Sequence, residues 1–187
     1  MLSKTKLLLI PCSGDETSLL TKEIYQILKK DHGLDSNVEI LDSLRRKDIS
    51  AEARKSNLHD LVADYFPDLE VEVDIGRNQL KDIIRGKHVA LVEHLLTPNR
   101  TLAGTTQTIS VNDHIMTVRG FLDVLNNVEI LRRTVVAPYF AYVRSHSIEK
   151  YRERGFYQFD SLRKTIKDLR TDGLDTLITI DPHSDKA

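Results

Sequence analysis

Short apolar runs bounded by turn residues recur along this chain, separated by longer stretches in which apolar side chains return every three or four positions. The first pattern is that of buried strands and the second that of amphipathic helices, so their alternation predicts a parallel sheet wrapped by helices. Five runs are expected as strands: Lys6 to Pro11, Val38 to Leu41, Lys87 to Glu93, Arg133 to Pro138 and Thr176 to Asp181. Leu69 to Ile75 alternates apolar with acidic residues, which marks a strand with one wet face, at a sheet edge or in a hairpin. Glu16 to Lys30 carries Leu19, Leu20, Ile24, Ile27 and Leu28 at helical spacing, with Ser13 or Asp15 available as a cap. Helices are also expected over Ser50 to Tyr65, Val111 to Asn126 and Phe159 to Arg170, while Thr97 to Ser110, rich in Thr and weakly periodic, reads as a loop.

No repeat or low-complexity tract interrupts this pattern. The expectation is a single domain over residues 1–187, α/β in class, with three αβα layers around a mostly parallel five-stranded sheet. A content of 40% hydrophobic and 29% charged residues is ordinary for a globular chain. With 27 Lys and Arg against 28 Asp and Glu, no broad basic field points to nucleic acid or a membrane surface, so any phosphate recognition must be local. The single cysteine, Cys12, excludes an internal disulfide and a cysteine-built zinc cluster, and fits a reducing cytoplasm. It follows Leu7 to Pro11 without an activating neighbour, and is expected as a buried structural thiol. No apolar run approaches the about 20 residues of a membrane span, so a soluble cytoplasmic protein is expected.

Three groups of residues carry candidate chemistry. Pro138-Tyr139-Phe140-Ala141-Tyr142-Val143-Arg144 follows a Val-rich strand and leads to His146, Lys150, Arg152 and Arg154. Arginine forks bind phosphate oxygens in pairs, although the same residues also suit a solvated loop after a core strand. Asp181-Pro182-His183 ends the fifth strand; a carboxylate and an imidazole there can serve a phosphate-bound magnesium ion, or simply turn the chain. Phe66-Pro67-Asp68-Leu69-Glu70 sets a ring beside two carboxylates, suited to a purine face and its exocyclic amine, or to a surface turn.

Taken in order, these segments resemble the ribose-phosphate pyrophosphokinase family, which has Phe-x-Asp-Gly-Glu, Arg-Gly before a strand, Pro-Tyr-Phe-x-Tyr-x-Arg after a strand and Asp-Leu-His at a strand end. Here the counterparts are Phe66 to Glu70, Arg85-Gly86, Pro138 to Arg144, and Asp181 to His183. The resemblance implies a phosphoribosyltransferase-like fold corresponding to the amino-terminal half of a two-domain enzyme that moves pyrophosphate from Mg-ATP to ribose 5-phosphate. It implies that Phe66 stacks on adenine, that Asp68 and Glu70 bond its polar edge, that Arg144 contacts the ATP phosphates, and that His183 and Asp181 lie beside the magnesium. It further implies homo-oligomers with sites shared between subunits, and a second domain, absent here, for the ribose 5-phosphate.

The chain departs from the family pattern at Ser145-His146, where the family continues Gln-Asp, at Leu69 in place of glycine, and in a polar helical insertion expected at about residues 42–65. Two functions remain in view: the ATP-side half of the synthetase, inactive alone, and a non-catalytic regulatory subunit of it. A phosphate-binding domain of the same fold with another substrate is a third.

Overall fold

The structure, a computed structural model, describes residues 6–34, 36–42, 62–66, 68, 70–76, 79–95, 108–143 and 148–180. In chain order its elements are β1 (Leu7–Pro11), α1 (Gly14–Lys30), β2 (Val38–Ile40), β3 (Val62–Tyr65), β4 (Val71–Asp74), a π-helical segment (Gln79–Ile84), β5 (His88–Val92), α2 (Val111–Leu125), β6 (Arg132–Val136), α3 (Ile148–Glu153), α4 (Ser161–Thr171) and β7 (Thr176–Ile178). Five strands lie side by side in the order β2-β1-β5-β6-β7, every pair parallel, as the apolar runs predict.

The apolar runs are continuous because both faces of the sheet are covered. Successive side chains of a strand point to opposite faces, so Leu8 and Ile10 go one way and Leu9 the other. Leu8, Ile10, Val89, Leu91 and Val135 pack with Val118, Phe121, Leu122 and Leu125 of α2 and with Leu162 and Leu169 of α4. On the opposite face Leu9, Val38 and Ala90 pack with Ile24, Tyr25 and Leu28 of α1. This is the αβα layering expected from the sequence, with the central strands buried between α2 and α4 on one face and α1 on the other.

The helical reading of Ser50 to Tyr65 fails where it can be examined. Its last four residues are strand β3, paired antiparallel with β4 in the register Ala63↔Val73 and Tyr65↔Val71. The expected insertion therefore ends as one arm of a hairpin, and residues 43–61 lie outside the described residues. A local helical period cannot compete with a partner strand: β3 supplies a valine and a tyrosine suited to a pleated surface, and the turn closed by Phe66, Asp68 and Glu70 brings β4 alongside. Leu69 to Ile75 does form a hairpin strand, with bounds Val71–Asp74.

The hairpin packs on α2, with Val73 close against Gly120. A methyl group built on Gly120 would stand 2.8 Å from Cγ2 and 3.1 Å from Cβ of Val73. Valine is stiff at χ1 and cannot step aside without moving its strand. Alanine at this position gains about 1 kcal/mol of helix propensity, but overpacking of this kind costs about 1–3 kcal/mol. Gly120→Ala is thus expected to lower stability in urea denaturation, and Gly120→Ala with Val73→Ala to recover part of the loss; a Gly120→Ala protein more stable than wild type would contradict the packing described.

Candidate functional site

Parallel strands all release the chain at one rim, and in an open α/β sheet ligands gather outside those carboxyl ends. Strands β6 and β7 are neighbours, and the segments that leave them remain joined past the sheet. Ala137 N–H donates to Ile178 O at 2.9 Å, Ile180 N–H donates to Pro138 O at 3.1 Å, and the Thr179 hydroxyl donates to the same carbonyl at 3.3 Å. The expected phosphate residues Arg144, Asp181 and His183 follow directly on these two segments, but lie outside the described residues.

The Pro138 to Val143 stretch leading to Arg144 is anchored inward. Phe140, Ala141 and Val143 are buried, and Tyr142 has a left-handed backbone with φ 62°. A non-glycine residue held there costs about 1–2 kcal/mol and persists only where its surroundings fix it. Part of that support is visible: the Tyr142 hydroxyl donates to Oδ1 of Asn112 in the first turn of α2. Burial also raises the ionisation of that hydroxyl above its ordinary range, keeping it a donor.

Phe66, Asp68 and Glu70 form the loop of the β3–β4 hairpin. Phe66 N–H donates to Glu70 O at 2.8 Å, and Glu70 N–H donates to Asp68 Oδ1 at 3.3 Å, so the aspartate folds the turn that carries it. Phe66 is half-buried, whereas Asp68 and Glu70 are exposed. The ring and the two carboxylates do share one short loop, as their spacing implies. Among the described residues no group of three or more His, Cys, Asp or Glu is placed to hold a metal ion, and no helix is long and apolar enough to cross a membrane.

Sequence reasoning missed a buried polar cluster at the ends of β1 and β5. Oε1 of Glu93 accepts from the Ser13 hydroxyl at 2.6 Å, from His94 N–H at 2.9 Å and from the Thr17 hydroxyl at 3.4 Å, and His114 Nδ1 lies 3.0 Å from it. Ser13 Oγ is also 3.0 Å from His114 Nδ1. Glu93 is 0% exposed and His114 1%. Both hydroxyl and carboxylate meet the same ring nitrogen, so this is not a relay in which a histidine passes a proton from one to the other. A signal for it existed: His114 sits on the apolar stripe of α2 with Val118, Phe121, Leu122 and Leu125, where an imidazole must find a partner.

Ser13 is the N-cap residue of α1, yet its side chain makes no capping bond, being turned to Glu93 instead. Its neighbour Cys12 is free and 0% exposed, and burial together with the Glu93 charge pushes its thiol well above the ordinary range. A thiol so placed stays protonated and inert, as expected of a structural cysteine. Native protein should resist a maleimide at neutral pH and react only as fast as it unfolds; rapid native labelling, read by mass spectrometry, would contradict this burial.

Residues 12–155 match the family model described as the N-terminal domain of ribose phosphate pyrophosphokinase. In three dimensions the chain is similar to the phosphoribosylpyrophosphate synthetase of Mycobacterium smegmatis, known from a crystal structure, with a TM-score of 0.62 and 19% identity over 97% of this chain and 44% of that one. Likeness at that identity is one of fold, and the chain spans less than half the length of that synthetase. No curated protein matches this chain. The family model takes in both the hairpin loop and the Pro138 to Arg144 segment, and on that match the chain belongs to the family of the N-terminal domain of ribose phosphate pyrophosphokinase.

Proposed function

We propose that this chain supplies the ATP side of a ribose-phosphate pyrophosphokinase, in which the anomeric hydroxyl of ribose 5-phosphate attacks the β-phosphorus of Mg-ATP and AMP departs. The observation that carries this reading is the family match over residues 12–155, which includes the Phe66 loop and the anchored stretch ahead of Arg144. Pyrophosphoryl transfer calls for alignment and charge neutralisation more than for covalent participation by the protein.

The roles divide by element. Phe66 provides a face for adenine, and Asp68 and Glu70 accept from its exocyclic amine. The turn that holds them is already closed by their own hydrogen bonds, so little ordering is left for the nucleotide to drive. Arg144 grips the triphosphate from the end of the β6 segment. Asp181 and His183 stand beside the phosphates from the end of the β7 segment, where magnesium arrives as part of the substrate. The ribose 5-phosphate side falls to a second domain of the kind the family has, and these residues alone are not expected to turn over. Self-association follows from the same reading, with the Phe66 loop serving the nucleotide of a neighbouring copy.

Ser145-His146 favours a second reading. The loss of Gln-Asp at that place removes groups the family uses on the nucleotide, as suits a non-catalytic subunit that joins active synthetase chains. Co-assembly with an active synthetase in the absence of any nucleotide binding would favour that subunit.

Titration calorimetry with Mg-ATP separates the two. Under the first reading Phe66→Ala weakens binding by about 1–3 kcal/mol, the range for loss of base stacking, and Arg144→Ala by a comparable about 1.5–3 kcal/mol for bonds to a charged group. Wild-type affinity in both variants, or no binding by the unaltered protein, would sink the nucleotide assignment.

A further inference from the structure

The buried cluster around Glu93 has no part in the reading above, yet it costs the fold something to keep. Oε2 of Glu93 and Nε2 of His114 are buried and have no hydrogen-bond partner among the described residues. Apolar side chains of similar size would close the same space without that penalty. What they could not do is choose one orientation, because burial of apolar surface is non-directional whereas hydrogen bonds are not.

The cluster's position gives the choice a purpose. One carboxylate oxygen gathers the end of β1 through Ser13, α1 through Thr17, the chain leaving β5 through His94 N–H, and the first turn of α2 through His114. The same end of α2 is fixed by a capping box, in which Asp113 N–H donates to Ser110 Oγ at 3.3 Å and Ser110 N–H donates to Asp113 Oδ2 at 2.6 Å. It also receives the Tyr142 hydroxyl at Asn112. Further along, α2 carries the hairpin, with Gly120 against Val73. The hydroxyl of Tyr65, the residue before Phe66, is buried without a hydrogen-bond partner among the described residues, and burial, with the charges of Asp113 and Glu93, pushes its ionisation up to about 12. A path of direct contacts therefore runs from Glu93 through His114 and along α2 to Val73 in the hairpin that carries the loop.

We propose that Glu93 and His114 are positioning residues for the Phe66–Glu70 loop: by tying the first turn of α2 to the ends of β1 and β5, they fix the rotation of that helix and so the place at which the hairpin presents its ring and carboxylates. That the loop binds adenine rests on the function proposed above; that the pair positions the loop does not. Neither side chain is assigned contact with nucleotide.

Hydrogen exchange of the full chain, read by mass spectrometry alongside Mg-ATP calorimetry, tests this. Glu93→Ala and His114→Gln are expected to speed exchange in β3, β4 and the first turn of α2 by on the order of tenfold, the scale of a lost hydrogen bond, while β5 and β6 keep their rates. Glu93→Gln retains an accepting oxygen at the same place and should restore most of the protection, whereas Glu93→Met, which fills a similar space without a carboxylate or amide oxygen, should not. Ser13→Ala, which removes a single arm of the cluster, keeps the test open if Glu93→Ala does not fold. Hairpin exchange unchanged in both Ser13→Ala and His114→Gln overturns the proposal, as does acceleration spread evenly over β5 and β6. If Mg-ATP binds while the hairpin ignores these substitutions, the positioning claim falls and the nucleotide reading stands. Where Mg-ATP does not bind but the hairpin responds, the reverse holds.

Discussion

The parallel pairing of β1, β5, β6 and β7 is the constraint on which the remainder of this protein depends. Parallel neighbours cannot be joined by a tight turn, so each strand needs a crossover, and all of them release the chain at the same rim. Residues far apart in sequence are gathered there without further provision: Ser13 after β1, Glu93 after β5, Pro138 to Val143 after β6 and Thr179 and Ile180 after β7. In the order β2-β1-β5-β6-β7 the direction of winding reverses between β1 and β5, which is where such sheets open a crevice. Here that position is taken up by the chain's own Glu93, Ser13 and His114, and the segments leaving β6 and β7 stand one and two strands further along.

A carboxylate at 0% exposure needs compensation, and Glu93 finds it in an unusual number of donors aimed at one oxygen. The charge has consequences beyond its own contacts, since it contributes to raising both the Cys12 thiol and the Tyr65 hydroxyl. Burial is the larger cause at both, and with the Glu93 charge it favours their neutral forms. The hydroxyl of Ser13, spent on Glu93, is lost to the end of α1. A local helix-capping preference has yielded to a longer-range contact, a trade expected where a specific arrangement matters more than local stability.

The sheet could be read from sequence because burial on both faces writes itself as uninterrupted apolar runs: Leu7 to Pro11 and His88 to Val92 need no partner to be recognised. Helix α2 is equally plain from Ile115, Val118, Phe121, Leu122 and Leu125 on one stripe. Strand β3 was not readable, since its identity depends on β4 lying opposite, and its four residues fit a helical period as well as an alternating one. Helix α3 is too short to show a period. Of the candidate site, the Phe66 loop was visible as a ring and two carboxylates around a proline, but the Glu93 cluster was not. Its contacts span 80 residues from Ser13 and 21 from His114, and only the winding of the sheet brings them together.

The hairpin loop closes in a chain that has leucine where the resembled pattern has glycine. The resembled pattern places glycine between the two carboxylates, which invites the inference that leucine at position 69 spoils their presentation. The turn nevertheless closes, with Phe66 N–H on Glu70 O and Glu70 N–H on Asp68 Oδ1. The side chain of Asp68 fixes the backbone two residues on, the ordinary work of an aspartate in a turn. One carboxylate oxygen of Asp68 is thus spoken for within the loop, and Asp68 and Glu70 are both exposed. Any ligand proposed for this loop would meet a turn closed by its own hydrogen bonds and carried by a hairpin packed against α2.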